Sequence, residues 1–325
     1  MALKDQKPLN PGFGPRPDGA DVVLDIDLSG KTAIVTGGYS GIGVETVRAL
    51  AGRGVKVLVP ARDREKAAAN LEGMDGDIEL GTLDLGDLAS VRSFAAAALG
   101  ELDRLDLLIN NAGIMACPET RIGSGWEAQF GTNHLGHMAL SLGLLPLLQS
   151  TAGARVIALS STGHKRSDIR WDDVHFEESP YDKWDAYGQS KTANALFANA
   201  LSRRLAPTGG LAFSAHPGGI FTPLQRHLSM DEQVQMGWLN EDGSPSELAK
   251  QGFKTPEQGC ATTLWAATSP LLEGVPGVYC EDCDVASPTD HESPMGRYSG
   301  VEPHACSDDS AERLWEISEA MLAAA

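Results

Sequence analysis

The sequence predicts an α/β fold with a single doubly wound parallel sheet of seven strands, in the order 3-2-1-4-5-6-7, and helices on both faces. Two observations predict this fold class. From residue 31 onward, short aliphatic or β-branched runs alternate with longer segments of helical period, a pattern typical of right-handed βαβ crossovers. Several of these runs are apolar throughout, as expected for strands that helices cover on both sides.

The elements follow one another in a regular order. The strands are predicted at Thr32–Thr36, Val55–Val59, Ile78–Leu83, Leu105–Ile109, Arg155–Leu159, Leu211–Ala215 and, more weakly, near Val278. The helices are predicted at Ile42–Ala51, Arg64–Leu71, Leu88–Leu99, Gly125–Gln149, Ala186–Leu205 and Pro256–Thr268. Capping signals support three of them: Asp87 precedes one helix, Pro256 opens another, and Gly209 follows the end of a third.

The 325 residues divide into three parts. Residues 1–29, rich in proline and glycine, are expected to form an N-terminal extension, residues 30–290 the α/β domain, and residues 291–325 a C-terminal tail with a helix. Two long connections, 162–185 and 222–254, follow the C-terminal ends of strands, where open α/β sheets bind ligands. Both are predicted to be substrate loops, although 162–185 could instead be a surface elaboration without ligand contact.

Composition excludes several classes of function. A net charge of −18 repels phosphate backbones, so we expect no nucleic-acid partner. No apolar run suits a signal peptide or membrane anchor, and five scattered cysteines favour a reducing, cytoplasmic compartment. Cys280 and Cys283 have the C-x-x-C spacing of metal and redox motifs, but no second pair accompanies them. Packing is therefore the favoured interpretation, and no metal site is predicted.

The turn after the first strand carries a cluster of glycines. Glycine tolerates positive φ and lets a diphosphate approach the backbone, while the N-terminus of the following helix favours negative charge. A tight turn without a ligand is the alternative interpretation. The residues expected to contact a dinucleotide here are Gly37, Tyr39, Ser40, Gly41, Ile42 and Gly43.

Arg62 follows the end of the second strand, about twenty residues after the glycine turn. A carboxylate near this point would suit the ribose hydroxyls of NAD, whereas an arginine suits a 2′-phosphate. NADP(H) is therefore the expected cofactor, with NAD(H) as the alternative. Arg62 could instead be a surface arginine that pairs with Asp63 or Glu65.

Three residues fit a proton-transfer site. Tyr187 and Lys191 are four residues apart in a helical segment, so they share a face, and an ammonium near a phenol favours the phenolate. Because tyrosine ordinarily titrates near ~10, Lys191 and an oxidised nicotinamide would have to lower that value together for acid–base catalysis near neutrality. Ser161, just past the fifth strand, can donate a hydrogen bond to a carbonyl oxygen that gains negative charge.

Ordered sequence blocks from about residue 29 to 290 resemble the short-chain dehydrogenase/reductase superfamily. The blocks are Thr36–Gly43, Asp84 between two leucines, Asn110–Gly113, Asn133 in Thr132–Gly136, Ser160-Ser161, Tyr187–Lys191 and His216–Thr222. The segment 132–137 and the 26 residues from Ser161 to Tyr187 resemble the retinol dehydrogenase and WW-domain oxidoreductase branch. The resemblance implies a Rossmann-type sheet and hydride transfer between NADP(H) and the carbonyl or alcohol of a small, apolar molecule.

The same resemblance implies roles for individual residues. The catalytic set would be Asn133, Ser161, Tyr187 and Lys191, with Asn133 fixing a water that links Lys191 to solvent. The implied cofactor contacts are Asp84 and Leu85 at the adenine, Asn111, Ala112 and Gly113 at the adenosine, Tyr187 and Lys191 at the nicotinamide ribose, and Pro217, Gly218, Ile220 and Thr222 over the nicotinamide. Two alternatives stay open: Asp84 could cap the helix near Asp87, and Pro217-Gly218 could be a simple turn.

Two rival functions and one question of assembly accompany this prediction. An NADP-binding sensor or scaffold would bind cofactor without turnover, but it would not need an acid–base pair. A sugar-nucleotide epimerase or dehydratase would usually carry a larger C-terminal domain. Family members often pair through two long helices, here Gly125–Gln149 and Ala186–Leu205, so a homodimer or homotetramer is expected.

Overall fold

The central sheet has eight strands among the residues that the computed structural model describes, namely 3–14, 16–275 and 277–325. Residues 1, 2 and 15 of the predicted extension lie outside the described residues. We number the strands of this sheet β1 (Thr32–Val35), β2 (Lys56–Ala61), β3 (Ile78–Thr82), β4 (Leu107–Asn110), β5 (Arg155–Leu159), β6 (Leu211–His216), β7 (Tyr279–Glu281) and β8 (Asp284–Val285). Their order is 3-2-1-4-5-6-7-8, and the first seven run parallel, which confirms the predicted order.

The predicted count of seven strands is wrong because β8 adds an antiparallel edge. Val285 pairs with Cys280, and the intervening Asp282 and Cys283 both have positive φ, 48° and 58°. Two such residues form a tight hairpin turn. The C-x-x-C motif therefore forms a β-hairpin, and both of its thiols are buried and free. Burial raises the pKa of both thiols, so they stay protonated, which favours packing over metal or redox chemistry.

Helices cover both faces of the sheet and enclose an apolar core on each, which confirms the predicted α/β fold class. The helices are α1 (Gly19–Val22), α2 (Ile42–Ala51), α3 (Arg64–Leu71), α4 (Leu88–Glu101), α5 (Ala128–Phe130), α6 (Gly136–Gly143), α7 (Leu145–Ser150), α8 (Lys183–Leu205), α9 (Met230–Gln235), α10 (Glu247–Gly252), α11 (Pro256–Gly259), α12 (Ala261–Thr268) and α13 (Asp308–Ala323). Helices α2 and α12 pack on one face, whereas α4, α6 and α8 pack on the other.

The long helix predicted at Gly125–Gln149 is interrupted. Gly125 lies with φ of 93° in the turn of a small hairpin, Arg121–Ile122 with Trp126–Glu127. The helix then begins at Ala128, because the Glu127 carboxylate accepts hydrogen bonds from the N–H groups of Gln129 and Phe130. A π-helical segment, Gly131–Leu135, joins α5 to α6, and Pro146 lies in the first turn of α7.

Both termini pack against the α/β core. The main-chain N–H groups of Leu9 and Asn10 donate to the Asp284 carboxylate at 2.7 and 3.0 Å, and Val23 is 1% exposed in the core beside α12. At the other end, Trp315 of α13 stacks on Phe197 of α8 with 5.9 Å between ring centroids. Within the described ranges, no helix combines the length and apolarity needed to cross a bilayer.

Candidate active site

The glycine turn forms a cradle at the N-terminus of α2. Gly37 and Gly41 have φ of 65° and 55°, values that other residues adopt only with strain. A Cβ on Gly43 would lie 2.3 Å from the main-chain oxygen of Gly37, so no side chain fits there. Since α2 begins at Ile42, the positive end of its helix dipole faces this turn, and the cradle fits a diphosphate.

The end of β4 is attached to this turn. Thr36 Oγ1 accepts hydrogen bonds from the main-chain N–H of Asn111 and of Ala112, at 2.9 and 3.0 Å. A Cβ on Gly41 would lie 3.2 Å from Cβ of Thr222, which begins the second long loop. Three of the predicted cofactor segments therefore meet at one place, the C-terminal edge of the sheet.

Arg62 is exposed at the end of β2, and within the described residues it makes no ion pair closer than 4.0 Å. The Asp63 carboxylate instead accepts from the N–H of Lys66 at 3.0 Å and caps α3, so the predicted alternative of an Arg62–Asp63 or Arg62–Glu65 pair is not found. Arg226 approaches from the second long loop: burial and, next, the positive charge of Arg62 lower its pKa. The two guanidinium groups are therefore near enough for their charges to interact.

Asp84 lies at the end of β3 and is half-buried. Its Oδ1 accepts from the N–H of Gly86 at 2.9 Å, whereas the cap of α4 is Asp87, whose carboxylate accepts from the N–H of Ala89. The alternative that Asp84 caps this helix is therefore wrong. Leu85 is buried, and its main-chain oxygen would lie 2.3 Å from a Cβ on Gly136, so Leu85 packs tightly against the start of α6.

The other predicted cofactor residues lie in the glycine turn or in the segment after β6, at the same edge of the sheet. The main-chain oxygen of Tyr39 accepts from Asn70 Nδ2 at 2.9 Å, and the N–H of Ser40 donates back to Gly37. Ile42 and Ile220 pack on either side of Gly259, whose absent side chain allows the contact. Beside Pro217, Gly218 has φ of 98° and is covered by the aliphatic part of Lys254.

Ser161 and Tyr187 lie side by side at the edge of the sheet. Ser161 lies two residues after Leu159, the last residue of β5, and its Oγ accepts from the N–H of Gly163 at 3.0 Å. The Tyr187 hydroxyl, which the first turns of α8 present, lies near this side chain, and hydrogen bonding with Ser161 acts to lower the pKa of the tyrosine. A Cβ on Gly163 would lie 2.7 Å from the tyrosine ring, so glycine at 163 makes room for this pair.

Lys191 shares the tyrosine's face of α8. Its ammonium lies 5.5 Å from the Tyr187 ring centroid and donates to the main-chain oxygen of Leu159 at 3.0 Å. Burial lowers the pKa of Lys191 to about 8 and raises the pKa of Tyr187 to about 12, although the Ser161 hydrogen bond acts to lower the latter. The expected lowering of the tyrosine pKa is thus not present in the chain by itself, and at neutral pH Tyr187 carries its proton.

Asn133 lies in the π-helical segment next to Lys191. Its Nδ2 donates to the main-chain oxygen of Ile114 and to Ser190 Oγ, and its Oδ1 accepts from the N–H of Ile114. A Cβ on Gly113 would lie 3.3 Å from Oδ1 of Asn133 and 3.7 Å from Nζ of Lys191. Asn133 therefore holds the segment after β4 in place beside the lysine.

An apolar wall surrounds the Tyr187 ring. Met115, Ala116 and Leu228 are buried with it, and residues from both long loops complete the wall: Trp184, Leu224, Met236 and Trp238. Trp184 meets the tyrosine edge to face, with 6.4 Å between ring centroids. Both predicted substrate loops thus reach the candidate active site.

The sequence interpretation missed several of these residues. Met115 and Ala116 directly follow the Asn110–Gly113 block, so their position in the chain could have pointed to them. Leu224, Leu228 and Met236 lie in a connection without a clear period, and only tertiary contacts reveal them. Arg226 carries no motif at all.

The comparisons with known proteins agree with this geometry. A family model described as short chain dehydrogenase matches residues 31–233. A probable oxidoreductase of Streptomyces antibioticus is 43% identical over 309 residues, which cover 92% of this chain and 100% of that protein. Retinol dehydrogenase 14 of Homo sapiens is 38% identical over 313 residues, 91% of this chain and 87% of that protein. The solved RhlG/NADP active-site complex of Pseudomonas aeruginosa has a TM-score of 0.57 and 28% identity, and the match covers 75% of this chain and 91% of that one.

The fold, the site and these matches define an oxidoreductase that acts on CH–OH groups. The chain belongs to the short-chain dehydrogenase/reductase family, and its relatives confirm the predicted retinol dehydrogenase-like branch.

Proposed function

We propose that this protein is an NADP(H)-dependent oxidoreductase that interconverts the carbonyl and the alcohol, primary or secondary, of a small apolar molecule. One observation carries the proposal: Tyr187, which keeps its proton at neutral pH, lies beside Ser161 and against an apolar wall, at the same edge of the sheet as the glycine turn. The turn fits a diphosphate, the pair fits a carbonyl oxygen, and the wall fits an apolar substituent.

Each catalytic side chain has a separate role in this proposal. Ser161 donates to the substrate oxygen as negative charge develops there, an interaction strongest in the transition state. Tyr187 transfers its phenolic proton to that oxygen in reduction and takes it back in oxidation. Lys191 supplies positive charge and a donor for the nicotinamide ribose, while Asn133 fixes the proton-relay water near the lysine. When bound, the reduced nicotinamide supplies the hydride.

A preference for NADP(H) over NAD(H) rests on Arg62 and Arg226. The positive charge of Arg62 acts to lower the pKa of Arg226, so the two guanidinium groups repel each other, and a 2′-phosphate would relieve that repulsion through bidentate hydrogen bonds. The NADP in the RhlG complex accords with this preference. Reduction is the proposed physiological direction, since Tyr187 holds a proton at neutral pH.

The proposed substrate is apolar because of the side chains around Tyr187. An apolar wall favours a hydrocarbon substituent and leaves a sugar diphosphate without partners for its polar groups. The epimerase or dehydratase alternative is disfavoured on this ground. The name of human retinol dehydrogenase 14 indicates an apolar alcohol for that relative. A sensor without turnover would have no use for the Ser161–Tyr187 pair.

The packing of α13 on α8 bears on the assembly state. In α8, Leu196, Phe197 and Leu201 are at most 2% exposed, and α13 of the same chain packs over that helix with Leu314 and Trp315. Pairing of subunits through this part of α8 would therefore require α13 to move away. We accordingly favour a monomer over the predicted homodimer or homotetramer, and the molar mass from multi-angle light scattering tests this. The five free cysteines accord with the proposed cytoplasmic location.

The test of the function is a set of initial rates with NADPH and, separately, NADH against aldehydes and ketones of increasing hydrocarbon length. We expect turnover with NADPH that improves with length and is lost in Tyr187→Phe, while the variant still binds NADPH. A Tyr187→Phe enzyme that retains the wild-type rate would refute the assigned acid. Tight NADPH binding without any turnover would favour the sensor.

A further inference from the structure

His164 is a fully buried histidine three residues after Ser161, and both of its ring nitrogens have partners. Its Nδ1 lies 2.6 Å from the main-chain oxygen of Ser161. Its Nε2 accepts a hydrogen bond from the main-chain N–H of Glu302 at 3.1 Å, across 138 residues of sequence. The ring therefore connects the active-site loop to the C-terminal tail.

These contacts decide which nitrogen carries the proton. A main-chain N–H can only donate, so Nε2 must accept, and the hydrogen of the neutral ring must lie on Nδ1. Nδ1 then donates to the carbonyl oxygen of Ser161. Burial lowers the pKa of His164 to about 3, with smaller effects in the same direction from Lys165, His304 and His216, so the ring stays neutral in the working pH range.

The residues around the ring hold it in one orientation. His304 Nε2 and Thr192 Oγ1 lie 2.9 and 3.1 Å from the main-chain oxygen of His164, and the Tyr279 hydroxyl lies 3.3 Å from Nδ1. The Glu302 carboxylate points away from the ring, toward Lys165 Nζ at 3.5 Å and His291 Nε2 at 3.3 Å, so the main-chain N–H alone of this residue meets His164. Residues 288–306 thus form the outer support of the Ser161 loop.

We propose that His164 is a positioning residue for Ser161, held in its Nδ1–H tautomer by the main-chain N–H of Glu302. The C-terminal tail is then a working part of the active site. The inference rests on the proposed reductase activity of the same site. Because the Ser161 hydroxyl must meet both Tyr187 and the substrate oxygen, a shift of its backbone by about 1 Å can cost on the order of 100-fold in rate.

Two substitutions separate the two hydrogen bonds of the ring. His164→Asn keeps a donor near the position of Nδ1, whereas His164→Gln keeps an acceptor near Nε2 and loses the donor to Ser161. We expect kcat to fall by about 10- to 100-fold in His164→Gln and by only a few fold in His164→Asn, with the Kd for NADPH unchanged in both. The pH profile of kcat in His164→Gln should shift to higher pH, because Tyr187 loses the hydrogen bond that lowers its pKa. Equal losses in both variants, without a shift of the profile, would overturn the proposal.

A second pair of variants tests the bond from the tail. Glu302 has φ of −75°, which suits proline, so Glu302→Pro removes the N–H without forcing the backbone. Glu302→Gln keeps the N–H and removes only the charge that faces Lys165 and His291. We expect Glu302→Pro to lose activity as His164→Gln does, and Glu302→Gln to stay near the wild type. The reverse ranking would assign the effect to the carboxylate and contradict the proposal.

A measurement without substrate keeps the inference separate from the proposed activity. In ¹⁵N-histidine NMR spectra, we assign to His164 the signals that vanish in His164→Gln, and we expect them to report a neutral ring with Nδ1 protonated and Nε2 unprotonated that does not titrate between pH 5 and 9. A protonated Nε2, or titration in this range, would overturn the inference even if the enzyme reduces its substrate. If instead the spectrum is as expected and no substrate turns over, the proposed function fails while the tautomer assignment stands.

Discussion

The two sides of the active site are built in different ways. The nucleotide side, residues 32–113, consists of regular strands and helices, and its candidate contacts are mainly glycines and main-chain N–H groups at strand ends. The substrate side consists of loops 162–185 and 222–254 and of residues 288–306, and it presents side chains. Main-chain recognition depends on short local motifs, whereas side-chain recognition depends on how distant segments pack.

On the substrate side, contacts between residues far apart in the sequence join the ends of the second loop and connect the first loop to the tail. Ile220 and Lys254 form a bridge at the base of the second loop, where the N–H of Lys254 donates to the oxygen of Gly219 at 2.8 Å. Lys165 Nζ donates to Thr289 Oγ1 at 2.5 Å, which joins the first loop to the tail. Long loops that are closed in this way can change their side chains without disturbing the nucleotide side.

Ser161 lies where the two sides meet, and its loss should have the largest effect. Ser161→Ala removes the donor to the developing oxyanion, so we expect kcat to fall by about 100- to 1,000-fold while the Kd for NADPH stays unchanged. Steady-state rates and fluorescence titration with NADPH measure the two quantities. The matched control is Ser160→Ala, because Ser160 Oγ donates to the main-chain oxygen of Lys191 and does not face Tyr187. A larger loss of kcat in Ser160→Ala than in Ser161→Ala would contradict the assignment of Ser161 as the donor to the developing oxyanion.

Arg62 tests the nucleotide side alone. Arg62→Ala should raise the KM for NADPH by about 10- to 100-fold, the cost of losing hydrogen bonds to a charged phosphate, and should leave the KM for NADH and for the carbonyl substrate unchanged. Initial rates with both nucleotides measure this. Arg64→Ala, two residues further along the same exposed surface, is the control. Equal effects of Arg62→Ala on NADPH and NADH would contradict a contact with the 2′-phosphate.

Trp238 tests the substrate side alone and should have a smaller effect. Trp238→Ala removes part of the apolar wall near Tyr187, so we expect kcat/KM for a long-chain aldehyde to fall by roughly 10-fold and that for a short one to change little. The control is Leu271→Ala, at a residue that is 50% exposed outside both loops. A rise in the Kd for NADPH in Trp238→Ala would break the division between the two sides.

The sequence predicted the nucleotide side far better than the substrate side. The positions of β1 to β7 along the chain follow from the alternation of apolar runs and helical segments, and the glycine turn follows from the strand that precedes it. The predicted helix at Gly125–Gln149 began too early because periodicity does not register the positive φ of Gly125 or the small hairpin around it. The eighth strand was missed because two residues are too few to give a pattern.

The candidate catalytic residues could be predicted as a set, but their surroundings could not. Motif order pointed to Ser161, Tyr187 and Lys191, and the structure brings these three together. The sequence predicts a lowered pKa for Tyr187 from Lys191 together with an oxidised nicotinamide, whereas in the chain alone burial raises this pKa to about 12. The contacts of His164 with Glu302 span 138 residues, and no local pattern in the sequence indicates them.

Substitution of Glu281 gives the smallest expected effect, and that effect is on stability alone. It tests whether a buried carboxylate at the contact between β7 and the C-terminal tail destabilises the folded protein when it ionises. Its carboxylate accepts from the N–H of Gly300 at 2.7 Å, and burial, with the nearby charge of Asp282, raises its pKa to about 7 from an ordinary value of 4.5. Between these two values the folded protein holds a proton that the unfolded chain releases, so the free energy of unfolding falls as pH rises from about 4.5 to 7.

Glu281→Gln keeps the acceptor and removes the charge. We expect it to be more stable than the wild type by about 1–2 kcal/mol at pH 8, and equal to it below pH 4.5. Thermal unfolding across this range measures the difference, with Glu292→Gln, an exposed carboxylate in the same tail, as the control. A difference in stability that does not change with pH would mean that the pKa of Glu281 is the same in the folded and unfolded states, and would contradict the prediction.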